Sequence, residues 1–324
     1  MCSSDLLQLR HERGLAPYLV VSCDNLTDNG PTLRRAVLAL AARRDSALTE
    51  WIGERTRFPR TMVDSITPAT DAALRSTVAQ ALRLQDAWPI QRERFVQWVV
   101  EETDFAAQPD WASVGVTLSR DVSAYERAKL RLLNGAHSTL AYLGILVGLE
   151  TVAQAMAEPA LRAFIERLMI EDIQPTLALP RGEELAAYRQ SILRRFENPA
   201  IRHLLAQIAW DGSQKLPIRL LGTIADAIRA QRPLGRLALA VAAWIHFIRS
   251  RVATAESIVD PLSEQLAACG RRATGDSRHD LPIFLDLPGV FPANLARNPG
   301  FVQALGAAYD LIASRGALAA VALT

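Results

Sequence analysis

The chain is poor in cysteine. Its three cysteines are Cys2, Cys23 and Cys269, and no two of them have the CxxC or CxxxC spacing. An odd number of cysteines without such a pair argues against a disulfide framework and against a zinc site. We therefore expect a cytoplasmic protein without a structural metal ion.

Long apolar runs and blocks of like charge are also missing. The longest apolar runs, residues 139–149 and 237–245, are shorter than the roughly 18 residues that a membrane-spanning helix needs. Charged residues interrupt the first 14 residues, where a signal peptide requires an apolar core. The 36 basic and 34 acidic residues nearly balance and form no basic block. We expect neither a membrane nor a nucleic acid as a partner.

Several catalytic signatures do not occur. The sequence contains no GxGxxG, GxxxxGK[ST], HExxH or GxSxG motif. It therefore lacks the marks of phosphate-binding loops, zinc proteases and serine hydrolases.

Lysine is scarce: Lys129 and Lys215 are the only two among the 36 basic residues. Arginine stays protonated near neutral pH, whereas a desolvated lysine can exchange a proton. The two lysines are therefore candidates for chemistry, although chance retention of two surface lysines would give the same count.

The pattern of apolar residues changes along the chain. The run 18–22, which ends in SCDN, predicts a buried strand of a parallel sheet, and further strands are predicted within 57–68 and near 95–100. The predicted helices of this part are 5–13, 33–44, 46–54 and 71–84. The helices predicted beyond it are 122–148, 151–172, 183–196, 199–210, 217–230, 233–250, 257–269 and 299–313. Residues 211–217 are predicted as a turn and 271–280 as a mobile loop. The predicted fold is mainly α, with a partial α/β layer in 1–120 followed by a helical domain in 121–324.

Three polar residues share one half of a predicted helix. At about 100° per residue, Lys129, Asn134 and His137 lie near 0°, 140° and 80°. Burying them among leucines is costly unless each finds a partner. Both a cleft and a helix with structurally satisfied polar groups remain open from this pattern. His203 and His246 lie in apolar helical patterns that favour packing roles.

Five segments together resemble the mannitol dehydrogenase family of polyol-specific long-chain dehydrogenases. They are SCDN (22–25), TMVDSITP (61–68), YERAKLRLLNGAH (125–137), NPAIRH (198–203) and DGSQKLP (211–217). The resemblance covers essentially the whole chain. It implies the distal part of a Rossmann-like domain, then an all-helical substrate domain, and metal-independent hydride transfer between NAD(H) and C2 of a sugar acid or polyol.

The resemblance also implies roles for individual residues. Lys129 is expected to be the general acid/base, Asn25 and Asn134 the amides that bind the alkoxide, and His137 the group that orients the substrate. Asp64 and Lys215 match positions that line the substrate site, and Glu126 matches a proton-relay position.

The chain departs from the family pattern at three places. Ser65 replaces the usual arginine after Val-Asp, and Leu204–Ala206 replaces a polar stretch, so recognition of a substrate carboxylate is in question. The first part of the Rossmann domain, with its glycine-containing cofactor loop, is expected to be absent. NAD and NADP are therefore not distinguished.

The leading hypothesis is an NAD-dependent oxidoreductase for D-mannonate and D-fructuronate, because DGSQKLP resembles the fructuronate-reductase branch. A mannitol or arabinitol 2-dehydrogenase is the nearest alternative. The other class is a truncated, non-catalytic remnant or a helical partner-binding domain. Self-association, or completion by a complementary Rossmann polypeptide, is a further possibility that the sequence leaves open.

Overall fold

A computed structural model of the chain describes residues 3–105, 108–178 and 185–324. These residues divide after Arg127 into two units.

The described part of the first unit contains a small mixed sheet, five α-helices and a short 3₁₀ turn at Ala112–Val114. Its elements in chain order are α1 (Ser3–Glu12), α2 (Asn29–Ala42), α3 (Ser46–Arg55), β1 (Thr61–Asp64), α4 (Ala72–Leu82), β2 (Gln97–Glu101), β3 (Thr117–Ser119) and α5 (Val122–Ala128). The strands are ordered β1-β2-β3, with β1 antiparallel and β3 parallel to β2. An apolar core that includes Leu7, Leu48 and Ile52 joins α1 and α3 to α2.

The prediction of a strand at 18–22 is wrong. This stretch is not part of the sheet, and its Val20 N–H donates a single backbone hydrogen bond to the carbonyl of Arg57 at 3.1 Å. An apolar run becomes a strand only where a neighbouring strand supplies a ladder of hydrogen bonds, and composition does not show whether one is present. The predictions within 57–68 and near 95–100 are confirmed by β1 and β2.

The second unit is helical. Its α-helices are α6 (Ala136–Leu146), α7 (Val152–Ala157), α8 (Pro159–Arg167), α9 (Leu185–Phe196), α10 (Leu205–Ile208), α11 (Gly212–Leu216), α12 (Gly222–Arg229), α13 (Gly235–Ala253), α14 (Ser263–Arg272), α15 (Ser277–Leu285), α16 (Ala293–Ala296), α17 (Pro299–Arg315) and α18 (Ala317–Leu323). Helix α13 is buried along Leu237–Ile248 and packs against α6, α14 and α17. No helix among the described residues is long and apolar enough to cross a membrane.

Three segments of the second unit are π-helical. They are π1 (Lys129–Gly135), π2 (Leu168–Ile173) and π3 (Pro217–Leu221), and each continues directly into a neighbouring helix. The predicted single helix over 122–148 is therefore α5, π1 and α6. Because π-turns are rare and occur often at functional sites, π1 directs attention to the residues it carries.

Three other predictions for the second unit are corrected. Helix 199–210 is reduced to α10, because Leu204 forms an isolated β-bridge with Thr151 and backbone hydrogen bonds join residues 203 and 205 to 150 and 152. The predicted turn at 211–217 is largely helix α11. The predicted loop at 271–280 contains the start of α15, whose Asp280 is fully buried. Helices α16 and α18 were not predicted. Residues 183–184 of the predicted helix 183–196 lie outside the described residues.

Candidate active site

Segment π1 places two predicted site residues five positions apart. Lys129 begins the segment and Asn134 lies one position before its end, and both are 7% exposed. Hydrogen bonds in a π-helix join residues five apart, so a separation of five positions is about one turn there. In an ideal α-helix the same separation places the two side chains about 140° apart around the axis. The two side chains therefore project from the same side of the chain more nearly than the sequence indicated.

A close approach holds π1 against π3. A Cβ atom on Gly135 would lie 2.8 Å from the backbone oxygen of Arg219. Only glycine allows the two segments to come this near without a shift, because any larger residue would overlap that oxygen. The contact connects the Lys129 segment to the helix pair that carries Lys215.

His137, on the first turn of α6, is enclosed by two rings. It stacks on Phe196, with ring centroids 4.8 Å apart, and His203 meets it edge-on at 4.6 Å. The ring is 6% exposed, and its Nε2 has no hydrogen-bond partner among the described residues. A buried ring nitrogen without a partner costs free energy, which a ligand hydroxyl or carbonyl could recover.

The electrostatic surroundings of His137 are cationic. Burial lowers the pKa of His137 well below its usual value, and the charges of His203, Arg219, Arg195 and Lys215 lower it further. The imidazole is therefore neutral near pH 7, with one nitrogen able to donate and the other able to accept.

Lys215, the second lysine, lies on α11 and is partly buried. Its Nζ is 3.4 Å from the backbone oxygen of Ile208 and 4.0 Å from a carboxylate oxygen of Asp211. Burial lowers the pKa of Lys215, and the neighbouring charge of Arg219 adds to this effect. A partly desolvated ammonium with weak partners can bind an anionic or hydroxyl-rich ligand.

Arg219 is a site residue that the sequence analysis missed. It follows Lys215 by four positions, and its Nη1 donates to the Ser138 hydroxyl on α6 at 2.9 Å. Its burial is substantial enough to lower the pKa of the guanidinium. The available signal was the spacing of four residues between two cations in an otherwise apolar segment, which places both on one helix face.

Gly212 packs against two large side chains of the same unit. A Cβ atom on Gly212 would lie 2.9 Å from the Tyr142 hydroxyl and even nearer to the indole nitrogen of Trp244. Tyr142 and Trp244 are fully buried, and their polar atoms have no hydrogen-bond partner among the described residues. The DGSQKLP glycine therefore brings α11 into close contact with α6 and α13.

The remaining predicted site residues belong to the first unit. Asn25 is exposed in the SCDN loop, Asp64 is 1% exposed at the end of β1, and Glu126 is half-buried on α5. Within the second unit, Lys129 and Asn134 lie on π1, His137 follows on the first turn of α6, and the charge of Lys215 acts on His137. The roles of Asn25, Asp64 and Glu126 stay predictions.

Asn29 organises the SCDN loop and was also missed. Its Nδ2 donates to the backbone oxygens of Ser22, Asp24 and Thr61 and to the Thr61 hydroxyl, while its Oδ1 accepts from Gly30 and Thr61. The side chain is 3% exposed. Asn29 thus ties the SCDN loop to the start of β1, a role that the sequence does not reveal without the fold.

The described residues do not form a complete binding site for a dinucleotide. Such a site needs a strand, a glycine-rich turn and a helix N-terminus that is open to the pyrophosphate. Helix α2 has a glycine in its first turn, but a Cβ on Gly30 would lie 2.5 Å from the backbone oxygens of Phe58 and Pro59. Protein backbone already occupies this side of the helix start. Among the described residues, no cluster of His, Cys, Asp or Glu could hold a metal ion, and Cys23 and Cys269 are free thiols.

Comparisons with known proteins agree on one family. The model of the mannitol dehydrogenase Rossmann domain matches residues 4–113, and that of the mannitol dehydrogenase C-terminal domain matches residues 121–313. D-Mannonate oxidoreductase of Escherichia coli (strain K12) is 41% identical over 98% of this chain and 65% of its own length. A mannitol 2-dehydrogenase of Aspergillus fumigatus is 36% identical over 96% of this chain and 62% of its own length.

Two solved structures are similar along nearly the whole chain. The ternary complex of Pseudomonas fluorescens mannitol 2-dehydrogenase with NAD and D-mannitol has a TM-score of 0.84 at 35% identity and covers 98% of this chain and 64% of its own. A substrate-free D-sorbitol dehydrogenase has a TM-score of 0.85 at 30% identity, with 98% and 65% covered. The chain therefore spans just under two thirds of the length of these relatives.

Proposed function

Since the chain belongs to the mannitol dehydrogenase family, we propose that it carries the acid–base and substrate-binding part of an NAD-dependent oxidoreductase that interconverts a sugar acid and its 2-keto form. D-Mannonate and D-fructuronate are the proposed pair. The observation that carries the proposal is the burial of Lys129, Asn134 and His137, together with a His137 Nε2 that has no hydrogen-bond partner among the described residues.

Lys129 is the proposed general base for oxidation. As a neutral amine it takes the proton of the substrate hydroxyl, and as an ammonium it returns the proton when the ketone is reduced. A lysine performs this role near neutral pH only when its surroundings disfavour the charged form, and an apolar cleft does so. The reaction also needs a hydride carrier, for which we propose NAD.

Asn134 and His137 are proposed to hold the reacting oxygen and its neighbours. An amide N–H stabilises developing negative charge without competing for the proton. The Nε2 of His137 is proposed to exchange a hydrogen bond with a substrate hydroxyl, which would satisfy a buried polar atom that has no partner among the described residues. From their places in the family motifs, Asn25 is proposed as the second amide, Asp64 as a substrate contact and Glu126 as a proton relay.

The preference for a sugar acid over a polyol follows from charge. The groups whose charges act on His137 include Arg219, Arg195 and Lys215, while His203 is neutral near pH 7 because burial lowers its pKa to about 4. The carboxylates of Asp211 and Asp260 act on Lys215 itself. A cationic and partly desolvated site favours a substrate carboxylate over a neutral hydroxymethyl group.

A mannitol or arabinitol 2-dehydrogenase is the second candidate. Ser65 occupies the place of a family arginine. Leu204 and Leu205 serve packing: Leu204 forms a backbone bridge with Thr151, and a Cβ on Gly144 would lie 2.6 Å from Leu205. These positions add no cation for a carboxylate.

The non-catalytic alternative has its support in the incomplete dinucleotide site described above.

The first experiment is a titration of the purified 324-residue chain with NADH, followed by assays of D-fructuronate and D-fructose reduction. Because the described residues form an incomplete dinucleotide site, saturable NADH binding is the first requirement that the proposal must meet. Once it is met, we expect a kcat/KM for fructuronate about tenfold or more above that for fructose, because one charge-assisted contact contributes about that factor. Equal values would contradict the sugar-acid assignment. Absence of both NADH binding and turnover would contradict the enzymatic proposal for this chain and favour a partner-binding role.

A further inference from the structure

A cleft lies within the helical unit and contains none of the proposed active-site residues. It has a volume of about 620 Å³, and α13, α17 and the loop before α15 contribute most of its walls. Leu146, Ala253, Ile312 and Ala313 give it an apolar part, while His246 and Arg249 give it a polar part. Small-molecule sites commonly have volumes of about 300–1,000 Å³, so the cleft is large enough for one.

His246 has a defined tautomer. Its Nε2 is 3.0 Å from the backbone oxygen of Tyr309 and must donate to it, which leaves Nδ1 as an acceptor. Arg249 Nη1 donates to this Nδ1 at 3.1 Å. Burial lowers the pKa of His246 to about 4, so the ring is neutral near pH 7 and adds no charge to the cleft.

Arg249 keeps donor capacity after these contacts. Its Nε is 4.0 Å from Asp280, too far for a strong ion pair, and its guanidinium lies 5.6 Å from the Tyr309 ring centroid. The Tyr309 side chain is also within hydrogen-bonding reach of the guanidinium, whose remaining N–H groups keep donor capacity, and the Arg249 side chain is 25% exposed. Nη2 lies over Gly275, where an added Cβ would be 3.1 Å away. Because Gly275 also has a φ of +100°, both space and backbone favour glycine there.

Asp280 does not neutralise this guanidinium at close range. Its carboxylate is fully buried and accepts hydrogen bonds from the backbone of Thr274 and Gly275 at 2.8 Å, from the Thr274 hydroxyl, from the Tyr309 hydroxyl and from His279. With five donors its oxygens are already satisfied. The ion pair between Arg249 and Asp280 is therefore long, and five other donors compete for the same carboxylate.

We propose that this cleft binds a small carboxylate with a short apolar chain, with the carboxylate on Nη2 of Arg249 and the chain against Leu146, Ile312 and Ala313. The guanidinium supplies the planar donor geometry that carboxylates accept, and the apolar wall supplies area for the chain. The Ser250 hydroxyl, also in the wall, is available as a second donor to the ligand.

The test is a calorimetric titration of the full chain near neutral pH with hexanoate, hexanol and inorganic phosphate. We expect saturable binding of hexanoate, with affinities for hexanol and for phosphate weaker by about tenfold or more, since each lacks one of the two interactions. Equal affinity for hexanoate and hexanol would overturn the role of Arg249. Equal affinity for hexanoate and phosphate would overturn the role of the apolar wall.

Variants locate the site. Arg249→Gln should weaken hexanoate binding about tenfold or more, whereas Arg251→Gln, two residues further on the same helix, should leave it unchanged. Because Arg249→Gln could disturb folding, Ala313→Phe provides a second arm: it retains the arginine, fills the apolar part and should also abolish binding. Circular dichroism and thermal unfolding check each fold. Hexanoate binding that Lys215→Met removes and Arg249→Gln spares would place the ligand at the proposed active site and overturn the proposal.

Discussion

Lys215 is expected to act on substrate binding more than on the chemical step. In the proposed site it contributes a cation, while Lys129 contributes the proton transfer. Lys215→Met should therefore raise KM for fructuronate about tenfold or more with a smaller effect on kcat, and should change KM for fructose much less. Steady-state kinetics with both substrates measure this difference. An equal rise for both substrates would contradict a role in carboxylate binding.

The substitution to compare with Lys215→Met is at Lys129, the other lysine of the chain. Lys129→Ala should abolish turnover in both directions while leaving NADH affinity within about twofold of the parent, because it removes a group required in the transition state. Retained turnover in Lys129→Ala would contradict its assignment as the acid–base group.

Asn29 is expected to be a stability residue. Its side chain makes six hydrogen-bond contacts with the SCDN loop, Gly30 and Thr61 while almost fully buried. Asn29→Ala should lower the free energy of unfolding of the first unit by about 2–4 kcal/mol, because it leaves several buried groups without partners. Urea unfolding measures this. Thr27→Ala, at an exposed position of the same loop, is the control and should change stability by less than about 0.5 kcal/mol.

At the scale of elements, the contact between π1 and π3 depends on Gly135. A methyl group there would lie 2.8 Å from the Arg219 oxygen, so one segment must move. Gly135→Ala should lower the free energy of unfolding of the second unit by about 1–3 kcal/mol, as overpacked sites do, and should reduce turnover by displacing Lys129 or Arg219.

Gly222 provides the control for this substitution, because it begins α12 with helical backbone angles and its nearest neighbour to an added Cβ is the Arg131 side chain at 3.5 Å. Gly222→Ala should leave stability unchanged or raise it by up to about 1 kcal/mol. If both variants lower the free energy of unfolding to the same extent, the close approach of π1 and π3 is not the cause of the effect of Gly135→Ala.

The elements also show which features the sequence could predict. Strands β1 and β2 and the long helices α13 and α17 follow from apolar periodicity, which reflects burial of one face or of the whole helix. The strand at 18–22 and the helix at 199–210 could not be judged, since both depend on backbone partners distant in the sequence. The DGSQKLP segment contains a glycine that reads as a turn signal, yet Gly212 begins α11, and there is no room for a side chain on it beside Tyr142 and Trp244.

The residues of the proposed site come from family motifs, whereas their local geometry comes from the structure. The motifs named Lys129, Asn134, His137 and Lys215, and their roles stay predictions. Periodicity assigned Lys129 and Asn134 to an α-helix, and no residue type signals the π-turn that changes their spacing. His203 was predicted to pack, and it does so against His137, so its ring belongs to the surroundings of the proposed site.

At the scale of the whole molecule, buried histidines are expected to set the pH dependence of stability. Burial lowers the pKa of His203 to about 4 and that of His246 to about 4, and it lowers the pKa of His137 as well. At His246, Arg249 lowers the pKa further, while the hydrogen bond to Tyr309 and the charges of Asp280 and Asp310 raise it.

The sign follows from proton binding. Between about pH 6.5 and pH 4 the unfolded chain binds protons that these folded histidines exclude, so the free energy of unfolding falls as the pH falls through this window. Each histidine whose pKa is lowered to about 4 contributes up to ~3 kcal/mol to the free energy of unfolding, and this contribution is fully present above pH 6.5. Carboxylates with lowered pKa, such as Asp226, act below this window, near and under their usual value of 3.8.

Urea unfolding at pH 7.5, 5.5 and 4.5 measures the effect, and His246→Gln identifies one contributor. Glutamine retains an amide that can replace part of the hydrogen bonding but does not titrate. The variant should be less stable than the parent at pH 7.5 and should lose less of its stability between pH 7.5 and pH 4.5. His11→Gln, at a partly exposed position on α1, should leave that loss unchanged. A parent chain that is equally stable at pH 7.5 and pH 4.5 would contradict neutral burial of the three histidines. If the folded chain excludes protons that the unfolded chain binds, its free energy of unfolding must fall between these two pH values.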